Sequence, residues 1–125
     1  MAERVYECDK GDHEKLKRLM EYDPYLDKSL TSEQIEQVRN DRYANIIFAR
    51  QSYVLKDGSS LGMDAKKYYL YLKAGEEFFK DAEEKLKKEI TGIKRLDEES
   101  EKKVISIINE EESKGNYGIG MILGG

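Results

Sequence analysis

His13 is the single histidine of the chain and Cys8 its single cysteine, and with Asp9 and Asp12 they form its densest grouping of reactive residue types. A Ser–His–Asp relay would have to run through His13. That residue stands in the first turn of a short helix between Asp12 and Glu14, where solvent is its expected surrounding. Structural zinc usually draws on four Cys or His ligands, and the sequence offers two. A lone cysteine forms no internal disulfide and reads as a small buried hydrophobe. Glu76-Glu77, Glu98-Glu99 and Glu110-Glu111-Glu112 could act as acid–base pairs if their environments separated their pKa values. With 26 acidic residues such neighbours follow from composition, and these lie among lysines on faces expected to be solvated. Gly118-x-Gly120-x-x-x-Gly124 departs by one residue from a dinucleotide fingerprint, and Asp57–Gly62 lacks the Gly-Lys-Ser/Thr of a P-loop. No catalytic, metal or cofactor-binding residue is assigned.

Residues suited to recognition stand out more clearly. Tyr68, Tyr69 and Tyr71 belong to a set of nine tyrosines, and on a helix they cannot all face one core. At least one is expected at a rim, where an aromatic body with a polar tip favours contact with a partner. The tail from Asn116 to Gly125 is glycine-rich and apolar, and soluble proteins tend not to leave such a stretch exposed. The expected contact surface is therefore Tyr69 and Tyr71 with Ile119, Met121, Ile122 and Leu123. Arg50, set in an apolar stretch, needs a partner. With Arg42, Tyr53 and carboxylates on facing helices it is the nucleus of an alternative, enzymatic reading.

The elements that would position these residues read as helices. Asp12 can cap a helix with Leu16, Leu19 and Met20 on one face, ended by Tyr22-Asp23-Pro24. Thr31 and Gln34 form a capping box, with Leu30 and Ile35 as its hydrophobic staple. Two apolar stripes then predict a central helix over 32–55. From Asp64 the steps Ala65, Tyr68, Leu72, Gly75, Phe79, Ala82 and Leu86 resemble a heptad seam and predict a long helix over 64–90. It is expected to pair with a fourth helix over 98–114, capped by Asp97 and burying Val104, Ile105 and Ile108. Residues 4–8 read as a short strand or an ordered arm, which leaves room for a minor β pairing of the termini. The fold class expected is all-α, a four-helix bundle forming a single domain over 1–125 with an apolar tail at 116–125.

Charged residues make up 38% of the chain, yet residues 1–62 hold ten basic and twelve acidic groups and residues 63–125 twelve and fourteen. With no basic stripe in the sequence, nucleic-acid binding is not expected. An inhibitor that mimics nucleic acid by its acidity remains a further alternative. Met1–Glu7 holds no apolar signal segment, and no window approaches roughly 18 uninterrupted apolar residues. With the unpaired Cys8, the expected setting is the cytoplasm. The run Asn45-Ile46-Ile47-Phe48-Ala49-Arg50-Gln51-Ser52-Tyr53 resembles the motif of the YARHG domain of bacterial envelope-associated proteins. Gln51-Ser52 stand where that motif has His-Gly, Ala44 where it has Arg, and no site residue is carried across. The function expected is a small intracellular interaction module, an adaptor, assembly subunit or inhibitor, acting on a protein partner or by self-association.

Overall fold

The computed structural model describes residues 1–114. It corrects the all-α expectation: the centre is a four-stranded antiparallel sheet, so the molecule is no helical bundle. β1 (Ala2–Asp9), β2 (Ser52–Asp57), β3 (Lys67–Ala74) and β4 (Lys94–Arg95) lie in the order β2-β3-β1-β4. Among them run α1 (His13–Glu21), α2 (Ser32–Asn40), α3 (Glu76–Glu89) and α4 (Glu98–Ser113). β1 and β2 are parallel with β3 between them, and β3 and β4 are parallel with β1 between them. The two helical crossovers make this the β-α-β-β-α-β arrangement of ferredoxin-like folds. Residues 22–51, inserted before β2, and α4 after β4 elaborate it.

Side chains alternate across the sheet and build two cores. Tyr6, Cys8, Tyr53, Leu70 and Leu72 meet Leu16 and Met20 of α1 and Phe79, Ala82 and Leu86 of α3. On the opposite face Val5, Val54, Tyr69 and Tyr71 meet Val104 and Ile108 of α4. α3 and α4 therefore do not pair, since they belong to different layers. The predicted helix over 64–90 is a strand followed by a helix, with Gly75 in extended geometry as the N-cap of α3. Tyr68–Leu72 is apolar on both sides because helices cover both, and this removes the alternation by which a strand is recognised. The predicted central helix over 32–55 stops at Asn40. Asp41 accepts from the Tyr43 N–H at 2.8 Å, turning the chain, and Ser52–Asp57 becomes an edge strand.

The capping signals at Thr31 and Asp97 hold, whereas Asp12 stands at the N-cap of α1 without a side-chain cap bond and Asp64 precedes a strand rather than a helix. Thr31 Oγ1 accepts from Gln34 N at 3.2 Å and Gln34 Oε1 from Thr31 N at 2.8 Å, starting α2 at Ser32. Asp97 accepts from Ser100 N at 2.8 Å at the start of α4. In the β2–β3 connection Gly62 takes a left-handed φ of 67°, and a Cβ on Gly58 would stand 1.9 Å from the Asp64 carbonyl oxygen. Beyond the short β4, Glu101 completes the edge of β1. It accepts from Val5 N at 3.0 Å and from Arg95 Nε and Nη2 at 2.8 Å each, and is 6% exposed. A carboxylate this deep persists because every bond it receives favours its ionised form. Among the described residues, no helix is long and apolar enough to cross a membrane.

Candidate functional site

The insertion at 22–51 gathers the surface features that the sheet does not need. Among the described residues, the large apolar side chains left most open are Met1, Tyr22, Tyr25 and Leu26, and three of these four fall in one loop. Leu26 is 77% exposed. The loop is built by acceptors at its turns. Asp23 accepts from Tyr25 N at 3.0 Å, starting the 3-10 turn Pro24–Leu26, where proline's fixed φ suits the first position. Asp27 receives the Tyr22 hydroxyl at 2.8 Å and the Ser29 N–H at 3.0 Å.

Arg50 joins this loop from 27 residues away. Its Nε and Nη2 donate to Asp23 Oδ2 and Oδ1 at 2.9 and 3.3 Å, and its guanidinium lies 5.4 Å from the centre of the Tyr25 ring. The partner Arg50 requires is thus Asp23, whose side chain is only 8% exposed, while Arg50 itself stays more than half open. Tyr22, Tyr25 and Arg50 are residue types that dominate binding energy at interfaces, and both rings are held in place before any partner arrives. The Arg50 hydrogen bond holds the Asp23 carboxyl below the usual aspartate range, outweighing its burial. A depressed folded-state value makes this bond's contribution complete above the unfolded-state value, about 3.9, and lost as pH falls through the lower folded one. Amide shifts of Tyr25 and Leu26 followed from about pH 6 to about pH 2 should therefore move with a midpoint below that of an ordinary aspartate. A midpoint at or above 3.9 would contradict the assignment.

Behind this loop lies a cleft of about 380 Å³. Leu19 of α1, Tyr22 and Leu30 of the loop, Val38 of α2, and Tyr43 and Ile47 of the following turn form its walls. Lys85 of α3 also lines it, donating to the Ile46 carbonyl at 2.9 Å and lying 5.7 Å from the centre of the Phe48 ring. Arg50 is not among the residues lining this cleft.

The residues singled out in the sequence are placed differently. Tyr69 and Tyr71 are 1% and 3% exposed beneath α4, and their hydroxyls donate to Glu7 and Glu3. Burial first, and these carboxylates second, push both phenols far above the ordinary tyrosine range. Neither ring reaches the surface while α4 is docked. Ile119, Met121, Ile122 and Leu123 lie outside the described residues. His13 bonds the Lys10 carbonyl through Nδ1 at 2.9 Å and packs on Tyr68. Cys8 is buried, which pushes its thiol up to about 11 and keeps it protonated and inert. Among the described residues, no group of three or more His, Cys, Asp or Glu side chains is arranged to hold a metal. Sequence reasoning did not mark Tyr22, Tyr25, Leu26 or Lys85. The available signal was two tyrosines and a leucine in a loop otherwise read only as a proline stop. No family model, curated protein or solved structure matches the chain.

Proposed function

We propose that this protein acts in the cytoplasm by binding a protein partner through Tyr22, Tyr25 and Leu26, rather than by catalysis. The observation that carries the reading is the concentration of open apolar side chains in one loop whose rings are already fixed by Asp23, Asp27 and Arg50. Preorganised aromatic anchors lose little side-chain freedom on association. The position of Arg50 favours binding over the enzymatic alternative, because its guanidinium is tied to Asp23 at two points, stays more than half open and does not line the cleft. A buried and unpaired cysteine suits a reducing compartment.

The test compares the wild-type chain with a Tyr25→Ser/Leu26→Ser variant. Polypeptides captured from native extract are purified and titrated against both, and solution mass is measured for each. The double substitution is expected to weaken the complex at least about tenfold, the loss of one hot-spot side chain. A concentration-dependent dimer abolished by the same substitutions would make the partner a second copy. If affinity and mass are unchanged by them, this surface is wrong. Deleting residues 116–125 in parallel tests the tail independently.

A further inference from the structure

We propose that the cleft beside Lys85 is a binding site for a small molecule with an apolar body and one carboxylate, the carboxylate resting on the Lys85 ammonium. This goes beyond partner binding at the outer loop and does not depend on it.

Four separate segments supply the apolar walls, so the cavity exists only in the folded chain, and its volume of about 380 Å³ lies within the range of small-molecule sites. Such sites combine apolar walls with a few placed polar groups, and here Leu19, Leu30, Val38, Ile46 and Ile47 stand beside Gln34, Gln37, Asp41 and Lys85. An ammonium has three donors. Among the described residues Lys85 donates to one acceptor, the Ile46 carbonyl, and forms no ion pair. Two N–H groups thus remain for a ligand.

The charged groups near it do not substitute for one. Asp41 lines the same cleft, but its Oδ2 already accepts from the Tyr43 N–H at 2.8 Å. Glu89 and Asp41 act on Lys85 only through longer-range attraction, and desolvation outweighs them, lowering its pKa. A cation short of solvent and without an ion-pair partner is stabilised by any anion that reaches it. The cleft continues past Leu19 and Tyr22 into a more open surface where Lys15 and Arg18 are balanced by Glu21 and Glu89, so the preference for a carboxylate rests on Lys85 itself.

Octanoate, octanol and octylamine share one apolar body and differ in the charge of the head. Each is titrated into the full ¹⁵N-labelled chain at neutral pH while backbone amide shifts are followed. Octanoate should give saturable shifts at Leu19, Val38 and Ile47 and bind about tenfold more tightly than octanol, as one charge-assisted hydrogen bond allows. Octylamine should bind less tightly than octanol. Lys85→Arg should keep the preference for octanoate and Lys85→Gln should abolish it. Equal binding of octanoate and octanol, tighter binding of octylamine, shifts away from the cleft, or no saturable shift would each overturn the proposal. The comparison of the three ligands on the wild-type chain decides the matter even if Lys85→Gln fails to fold.

Discussion

Val104→Asp should cost at least about 3 kcal/mol of folding stability at neutral pH, because it forces an unpaired carboxyl into the dry layer between α4 and the sheet. Val104 is fully buried, and it packs with Val5, Val54, Tyr69 and Tyr71. A loss of this size is a large share of the roughly 5–15 kcal/mol that holds a domain together. Apolar surroundings raise the pKa of the introduced carboxyl, so the folded variant binds its proton more readily than the unfolded one, and part of the loss should be regained as pH falls. Urea unfolding at about pH 7 and about pH 5 reads both effects. With α4 loosened, Tyr69 and Tyr71 should become open to tyrosine-modifying reagents that leave them untouched in the wild type. Lys103→Ala, on the exposed side of the same helix, should stay within about 0.5 kcal/mol. A cost below about 1 kcal/mol for Val104→Asp would show that α4 is not an integral layer.

On the other face, Phe79→Ala should destabilise by about 3–5 kcal/mol. The ring is fully buried, and more than its area is lost with it. The Arg4 guanidinium lies 4.6 Å from its centre and pairs with Glu83, which also receives the Tyr6 hydroxyl at 2.7 Å. Phe78 meets Phe79 edge-on at 6.2 Å and Phe48 at 5.8 Å, extending the aromatic layer toward the insertion. Removing Phe79 opens a cavity and takes the support from beneath a half-buried ion pair, whereas Tyr6→Phe removes one hydrogen bond and should cost only about 1 kcal/mol. Chemical denaturation of both variants gives the ratio. Near-equal losses would mean that the charged network, rather than the ring, fastens α3 to β1.

These two substitutions probe the layers on which the candidate surface depends. α1 and α3 anchor the insertion, through Leu19 of α1 and through the bond from Lys85 of α3 to the Ile46 carbonyl. The insertion's outer loop can then change without touching either core, which keeps the loop test separable from stability.

By itself the sequence determined what acts over short spans. Thr31 with Gln34, and Asp97 with Ser100, set the starts of α2 and α4, because a side-chain oxygen there reaches a backbone N–H three residues away without help from distant segments. The buried face of α4 was likewise legible, since a helix covered on one side keeps its 3.6-residue pattern. The sheet was not. β3 is apolar on both sides because α1 and α3 cover one face and α4 the other, so neither a helical nor a strand period distinguishes it, and the heptad-like spacing from Ala65 to Leu86 runs across two different elements. Three tyrosines in Tyr68–Tyr71, a residue type favoured in strands, were the remaining signal. The candidate site was settled only in three dimensions. Arg50 meets Asp23 across 27 residues and Lys85 meets Ile46 across 39, pairings that exist only once the sheet has brought distant segments together.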